Sequence, residues 1–382
     1  MYADSTTVLD IISGVRKTHA PDKRTTIFTI NADFSKINPV ITGETNLPLA
    51  LEELQAKLKE QNIEADFSVD ILPEKNLGQN IMAVVCISVA NHRTEPKHSA
   101  EMATQALMGT VVKVWKKRGE WYLVQTPDNY LGWVDDDGIQ LMNQSNINEW
   151  LAAHRVIVTV PYALLRTEAD EKSKVVSDLT AGNILKTKGV KGNYFLLETP
   201  DGREGYLAMS NSAKFEEWVN TASLSGENIL NSASEFMGYP YLWGGTSTKG
   251  VDCSGFTKSV YFMNGLITPR DASQQVYSGE LVDTKEGFSN LEPGDLLFFG
   301  FKATDSTRER VTHVGIYIGS DDFIHSSGKV KINSLNKNKP NFSPYRYNTF
   351  IRAKRFFVNP EANGLTFIKN SPAYFLKGGL PQ

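Results

Sequence analysis

Three residues in the last third of the chain have the types and spacing that nucleophilic catalysis needs. Cys253 follows a segment with two adjacent glycines, residues 241–246, and precedes apolar residues at helical spacing. This pattern predicts a helix beginning at Cys253, where unpaired backbone amides and the positive end of the helix dipole stabilise a thiolate. A thiolate nucleophile also needs a base and a group that orients the base. His313 and His325 are the candidates, because both lie in a predicted strand hairpin downstream.

Strand periodicity decides whether the two histidines can meet. Residues 312–319 alternate, so Val314 faces the side of the strand opposite His313. A three-residue loop at 319–321 pairs His313 with Ser327 and leaves His325 on the diagonal, within side-chain reach. A four-residue loop would place the two imidazoles on opposite faces.

The other cysteine, Cys86, has a different context. It lies in a nearly continuous apolar run, residues 81–89, which predicts a buried strand and a packed, inert thiol. Two cysteines in such different contexts predict neither a disulfide framework nor a cysteine-based metal cluster. We expect no cofactor and no metal.

The composition excludes several classes of protein. The 382 residues imply two to four domains at roughly 100–200 residues each. Lys and Arg total 40 against 43 Asp and Glu, so the net charge is −3 and no basic surface for nucleic acid is indicated. The hydrophobic content of 41% argues against wholesale disorder. No apolar run reaches the roughly 18–20 residues of a membrane-spanning helix.

An internal repeat organises the middle of the chain. Shifted by 73 residues, segment 93–134 aligns without gaps with segment 166–207, and 11 of 42 positions are identical. Each copy predicts short strands, which in the first copy are 111–115, 121–125 and 132–134. Short strands at close spacing favour a small β-barrel, and the closing Gly-Trp-Val or Gly-Tyr-Leu strand resembles bacterial SH3-like domains.

The other segments complete the predicted organisation. Residues 49–61 predict a helix capped by Thr45 or Asn46, and residues 215–225 predict a linker. We expect an α+β multidomain protein whose catalytic domain lies last. Its predicted parts are an N-terminal α/β region (1–90), a first SH3-like barrel (91–150), a second SH3-like barrel (151–222), a catalytic domain (223–358) and a C-terminal tail (359–382).

Three motifs in the last block resemble the NlpC/P60 cysteine peptidases. They are Asp-Cys-Ser-Gly-Phe at 252–256, Leu-Glu-Pro-Gly-Asp-Leu-Leu-Phe-Phe at 291–299 and His-Val-Gly-Ile-Tyr-Ile-Gly at 313–319, in the family's order. The resemblance covers residues 224–357 and implies a papain-like core with permuted chain order. It also implies Cys253 as nucleophile, His313 as general base and His325 as the residue that orients the base. The oxyanion would be stabilised by the backbone amide of Cys253 and a neighbour.

The paired SH3-like units narrow the resemblance to the γ-D-glutamyl-L-diamino acid endopeptidases, the dipeptidyl-peptidase VI type. In that group the first SH3-like domain closes one end of the groove, so only peptides with a free N-terminal L-Ala fit. The implied substrate is a murein tri- or tetrapeptide, L-Ala-γ-D-Glu-diamino acid. The implied substrate-binding residues are Tyr241, Trp243, Asp252, Ser254, Asp271, Tyr130 and Glu101.

Comparison of the two repeats bears on two of these residues. The second copy has Lys174 and Arg203 where the first has Glu101 and Tyr130. This difference is expected if only the first copy contacts a substrate ammonium. The chain departs from the group at Ala272, where a serine is frequent, so one substrate hydrogen bond of the group is not predicted here.

Two other functions stay open on sequence alone. An endopeptidase or amidase acting on intact peptidoglycan would have an open groove without acids near a substrate amine. A non-catalytic wall-binding protein would use the paired SH3-like domains and would be favoured by loss of Cys253 or His313, both of which are present. We expect a monomer in the periplasm or cell envelope, as a mature form whose leader has been removed, with a cytosolic location also open.

Overall fold

The computed structural model describes residues 5–376, and its first part is a small α/β unit. Its elements are α1 (Ser5–His19), β1 (Phe28–Asp33), β2 (Val40–Thr45), α2 (Pro48–Glu60) and β3 (Asp66–Ile71). The sheet has the order β1-β2-β3, in which β1 pairs antiparallel with β2 and β2 pairs parallel with β3. The predicted helix is confirmed, but its predicted cap is wrong. Leu47 occupies the N-cap position without a side-chain hydrogen bond, because Thr45 and Asn46 bond the backbone around Ile27 and Leu47 instead.

Two seven-stranded sheets form the middle of the protein. The first contains β4 (Met82–Val85), β5 (Val89–Arg93), β6 (Met102–Leu107), β7 (Val111–Arg118), β8 (Trp121–Gln125), β9 (Leu131–Asp135) and β10 (Ile139–Met142), followed by α3 (Gln144–Ala152). The second contains β11 (Arg155–Val158), β12 (Ala163–Arg166), β13 (Val175–Leu179), β14 (Ile184–Lys191), β15 (Tyr194–Glu198), β16 (Glu204–Ala208) and β17 (Ser212–Lys214).

The predicted repeat is confirmed by the order of these strands. The first sheet has the order β10-β4-β7-β8-β9-β5-β6, and the second, read from the equivalent edge, β17-β11-β14-β15-β16-β12-β13. Every strand of the first sheet therefore has a counterpart seven strands later. Strand β4 lies before the boundary predicted at residue 90, and the domain boundaries stay predictions.

The apolar run at 81–89 is not the single strand that its composition predicts. The chain bends between β4 and β5, because β4 pairs with β7 and β10 whereas β5 pairs with β6 and β9. Cys86 lies in this bend, where its backbone amide donates to the carbonyl of Gly138 at 3.0 Å. Its side chain is buried, and burial raises the pKa of the thiol to about 12, as expected of an inert cysteine.

The last part is built on a six-stranded sheet. Its elements are α5 (Gly226–Ser234), β18 (Thr246–Ser247), β19 (Gly250–Val251), α6 (Cys253–Met263), β20 (Leu266–Ile267), α7 (Ala272–Gln275), β21 (Glu280–Val282), β22 (Leu296–Phe301), β23 (Arg310–Gly319), β24 (Asp322–Ser327), β25 (Lys329–Ser334), α8 (Pro344–Thr349) and β26 (Phe350–Arg355), preceded by α4 (Phe215–Thr221). The sheet order is β21-β26-β22-β23-β24-β25. Helix α6 packs on it because Phe256 and Val260 share a core with Val314 and Ile316.

The predicted linker and the described part of the predicted tail, residues 359–376, are packed against the protein. Residues 215–225 are not an extended linker, since they begin with α4, whose Phe215 is fully buried. The Phe215 ring stacks on that of Phe375 at 5.3 Å between centroids. Strand β27 (Thr366–Phe367) pairs with β20. Residues 377–382 of the predicted tail lie outside the described residues. Within residues 5–376, no helix combines the length and the apolar character needed to cross a bilayer.

Candidate active site

Cys253 is the first residue of α6, as its sequence context predicts. Asp252 caps this helix, and its Oδ1 accepts a hydrogen bond from the Gly255 amide at 2.6 Å. Gly255 leaves no room for a side chain, because a Cβ there would lie 1.9 Å from the carbonyl oxygen of Gly245. The glycines on both sides of the cysteine therefore let the helix start pack directly on the preceding loop.

The hairpin of β23 and β24 brings the two histidines together. Ile316 pairs with Ile324 and Tyr317 with Phe323, which is the register expected of the three-residue loop. The loop itself differs from that prediction. Gly319 pairs with Asp322 across a two-residue turn, and a bulge between Tyr317 and Gly319 absorbs the extra residue. The predicted register is confirmed, and His325 lies diagonal to His313.

A chain of hydrogen bonds selects the tautomer of each neutral histidine. His313 Nε2 lies 2.7 Å from His325 Nδ1, and His325 Nε2 lies 2.9 Å from Asn333 Oδ1. The Asn333 amide group donates through Nδ2 to the carbonyl of Asn341, which orients its oxygen towards His325. Because that oxygen only accepts, His325 donates from Nε2 and accepts at Nδ1, and His313 donates from Nε2. His313 Nδ1 is left as the basic nitrogen.

Burial dominates the electrostatics of the cysteine and the histidines. It raises the pKa of the Cys253 thiol to about 11, with a further upward contribution from the Asp252 carboxylate. This net direction is opposite to that expected from the helix terminus alone, although the backbone amides of Val314 and Ser254 do favour the thiolate. Burial also lowers the pKa of His313, helped by the positive charge of Arg346. Burial therefore disfavours the charged form of both groups, the thiolate of Cys253 and the imidazolium of His313.

A buried ion pair supports the helix start. Arg270 donates from Nη2 to Asp252 Oδ2 at 2.5 Å and from Nη1 to Asp252 Oδ1 at 3.1 Å. It also donates from Nη1 to Ser254 Oγ at 3.1 Å and from Nε to Thr104 Oγ1 of the first sheet at 3.0 Å. Both residues predicted next to the nucleophile, Asp252 and Ser254, are thus held by one guanidinium.

A cavity of about 530 Å³ connects the cysteine with the first repeat. Nine of the predicted site residues line it, namely Glu101, Tyr130, Tyr241, Trp243, Asp252, Cys253, Ser254, Asp271 and His313. His325 lies behind His313 and is 1% exposed. Two hydrogen bonds in this lining join the first repeat to the last domain, since the Trp243 indole donates to Glu101 Oε1 at 2.7 Å and the Tyr130 hydroxyl donates to Asp271 Oδ2 at 2.9 Å. The structure therefore brings all the predicted residues together.

Sequence reasoning missed several polar residues of this site, and four of them contact or face the predicted residues. Asn333 and Arg270 belong to the networks described above, and Arg24 of the N-terminal unit lies in the cavity wall. Arg346 lies 5.7 Å from the ring centroid of Phe299, near the histidines. No sequence signal marks Arg24, because its partner Asp271 is 247 residues away. Asn333 could have been found from strand pairing, since it is two residues beyond Lys331, the partner of His325.

A cysteine at a helix start and two histidines on an antiparallel sheet, all at one cavity, are the arrangement of a cysteine hydrolase. Comparisons with known proteins agree: residues 238–347 match the NlpC/P60 family, and residues 92–139 match the bacterial dipeptidyl-peptidase Sh3 domain. The chain belongs to the NlpC/P60 family of cysteine peptidases, which confirms the resemblance of its motifs.

The relatives and solved structures cover much of the chain. It is 33% identical over 231 residues to the gamma-D-glutamyl-L-lysine dipeptidyl-peptidase of Bacillus subtilis, covering 58% of this chain and 71% of that protein. It is 28% identical over 268 residues to dipeptidyl-peptidase 6 of Lysinibacillus sphaericus, covering 68% and 93%. The crystal structure of an NlpC/P60 family protein from Bacillus cereus superposes with a TM-score of 0.61 at 26% identity, covering 72% of this chain and 99% of that one. An NlpC/P60 endopeptidase from Photobacterium damselae shares the fold with a TM-score of 0.55 at 15% identity, over 92% of this chain and 90% of its own.

Replacing Asn333 tests the hydrogen-bond chain. We expect Asn333→Ala to lower kcat by roughly tenfold and to leave KM nearly unchanged. The reason is that His325 loses the acceptor that selects its tautomer. A tenfold loss is a fraction of the rate enhancement that a general base usually provides. Asn333→Asp keeps an acceptor oxygen and is expected to restore part of kcat. Steady-state kinetics on a murein tripeptide measures both, and equal loss in the two variants would contradict the tautomer argument.

Proposed function

We propose that this protein hydrolyses the bond between γ-D-Glu and the diamino acid in murein peptides that carry a free N-terminal L-Ala. The observation that carries the proposal is the distribution of charge along one cavity. Cys253 lines this cavity together with the carboxylates of Glu101, from the first repeat, and Asp271, and Lys23, Arg24 and Arg270 are the cations in the same wall. The dipeptidyl-peptidase names of its relatives support the same class of substrate.

The carboxylates of Glu101 and Asp271 suit a primary ammonium group as a ligand. Glu101 is exposed, and Trp243 holds its Oε1 by the indole N–H, which leaves the other carboxylate oxygen for a ligand. Tyr130 is buried and presents its hydroxyl next to Asp271. Carboxylates accept charge-assisted hydrogen bonds from an ammonium, and an acetylated nitrogen offers one neutral donor instead. A peptide bound with its N-terminus here would reach towards Cys253 with its second residue.

The proposed chemistry proceeds through a thioester. His313 Nδ1 takes the thiol proton as the Cys253 sulfur attacks the γ-carbonyl carbon of D-Glu. The tetrahedral oxyanion is bound by the Cys253 amide and a neighbouring donor. The C–N bond then breaks, and His313 protonates the leaving amine of the diamino acid. A water molecule, deprotonated by His313, attacks the thioester, and L-Ala-D-Glu leaves with a new γ-carboxylate while the thiol is restored.

A pair of matched substrates tests this function. The first is L-Ala-γ-D-Glu-diaminopimelate with a free amine, and the second is the same peptide N-acetylated. We expect kcat/KM to be about 10- to 100-fold higher for the free peptide, the range of one or two charge-assisted hydrogen bonds. Glu101→Gln should reduce this ratio, whereas Lys174→Gln, at the equivalent position of the second repeat, should not. Mass spectrometry of the products measures both.

Each other outcome favours a different function. Equal cleavage of the two peptides would leave a cysteine peptidase without amine selection and would favour action on polymeric peptidoglycan. Absence of cleavage, combined with binding to isolated cell walls, would favour a wall-binding protein.

A further inference from the structure

The N-terminal unit reaches the active-site cavity through one turn, residues 22–26. The Arg24 carbonyl accepts a hydrogen bond from the Leu131 amide at 2.7 Å, and the Thr25 carbonyl accepts one from Gln125 Nε2 at 2.7 Å. On the other side, Gln274 Nε2 of α7 donates to Asp22 Oδ2 at 2.8 Å. The turn is therefore docked on the first repeat and on the peptidase domain at once.

The Arg24 side chain uses this position to bind Asp271. Its Nε and Nη2 form a fork with the Asp22 carboxylate, at 2.8 Å and 2.7 Å. Its Nη1 donates to Asp271 Oδ2 at 2.7 Å and to Ser273 Oγ at 2.9 Å. The side chain is 33% exposed and forms part of the cavity wall. A guanidinium held by a two-point fork has a fixed direction, so it acts as a rigid part of the wall.

This contact changes how Asp271 can bind a substrate. Asp271 Oδ2 already accepts from Arg24 and from Tyr130. An incoming ammonium must therefore use the remaining acceptor sites of the carboxylate, next to Arg24. Asp22, Arg24 and Asp271 together carry one net negative charge and Glu101 adds another, while Lys23 in the same cavity wall adds a positive charge, so one net negative charge remains. The end of the cavity remains attractive to an ammonium, but its shape and the orientation of Asp271 are set by the N-terminal unit.

We propose that Arg24 is a positioning residue that determines specificity for the peptide's N-terminus. It fixes the Asp271 carboxylate, which is also the acceptor of the Tyr130 hydroxyl, and its guanidinium would obstruct a blocked or extended N-terminus. The N-terminal unit is thereby part of the specificity machinery. This inference rests on the proposed selection of a free amine.

The test measures selectivity, which a purely structural role would not move. We expect Arg24→Ala to lower the wild-type ratio of kcat/KM for the free peptide over its N-acetylated form by at least about tenfold, through a higher KM for the free peptide. Cleavage of the N-acetylated peptide should increase. Arg24→Lys keeps the charge without the fork and is expected to restore the ratio only in part. Lys23→Ala removes the neighbouring exposed charge, which also lines the cavity but makes none of these hydrogen bonds, and should have a smaller effect.

Asp22→Asn is a second variant that tests the same inference about Arg24. It leaves Arg24 in place and weakens the fork, so the ratio should fall in the same direction by a smaller factor. The melting temperature of each variant shows whether it is folded. The inference is overturned, and the proposed function left intact, if folded Arg24→Ala keeps the wild-type ratio of kcat/KM for the free over the N-acetylated peptide. If Arg24→Ala does not fold, the same result in Asp22→Asn overturns the inference. A wild-type protein that cleaves both peptides equally overturns the proposed function itself.

Discussion

Cys253→Ala will abolish peptide hydrolysis, with an expected loss in kcat of roughly six orders of magnitude, as for the removal of a nucleophile from an established triad. Cys253→Ser should be nearly as inactive. In this buried position even the thiol has a pKa of about 11, and a hydroxyl is a much weaker acid. The imidazole of His313 would then remove the hydroxyl proton far less readily than it removes that of the thiol.

Cys86→Ala is the matched control for this experiment. It removes the chain's other cysteine, which is also buried. Cys86 lies in the bend between β4 and β5, and its thiol donates a hydrogen bond to the Asp137 carbonyl at 3.3 Å. We expect full kcat and a modest loss of stability, about 1 kcal/mol, from the small cavity. The measurement is product formation by mass spectrometry at high enzyme concentration. Turnover by folded Cys253→Ala within about tenfold of wild type would show that the nucleophile lies elsewhere.

Local patterns were sufficient to predict the parts of the site that depend on periodicity. Alternation along 312–319 and the count of loop residues gave the register that makes His325 diagonal to His313, and β23 and β24 have this register. The helix starting at Cys253 followed from apolar spacing and ends before Asn264, where Gly265 adopts a positive φ of 83°. These features are encoded within about a dozen residues, so sequence reasoning can reach them.

Long-range pairings account for what the sequence did not reveal. The run at 81–89 looks like one strand, but its two halves bond different neighbours, and nothing local marks the bend at Cys86. Arg24 and Arg270 are ordinary arginines in the sequence. Their roles arise because the fold brings them to Asp271 and to Asp252. The family resemblance identified the carboxylates and not the guanidinium groups that hold them.

Arg270→Met is the substitution with the largest expected effect on stability. Arg270 is 1% exposed, and it compensates the buried Asp252 carboxylate through two hydrogen bonds. Without it, Asp252 keeps its charge in a buried site, and the free energy of unfolding should fall by about 3–5 kcal/mol. Asp252 also caps α6 directly before Cys253, so activity should fall as well. Urea denaturation followed by circular dichroism measures the stability.

Arg155→Met supplies the control, because Arg155 is equally buried but poorly paired. Its Nε lies 3.4 Å from Glu216 Oε1, and its Nε and Nη2 have no hydrogen-bond partner among the described residues. Burial accordingly lowers the pKa of Arg155 to about 10. Burial also acts to lower the pKa of Arg270, but the charge of Asp252 acts in the opposite direction and the net pKa is raised. Methionine fills a similar volume against the Phe215 and Phe375 rings, and we expect a loss below about 1 kcal/mol from the missing cation–π contacts. Equal destabilisation by the two substitutions would mean that packing volume, and not charge compensation at Asp252, is what Arg270 contributes.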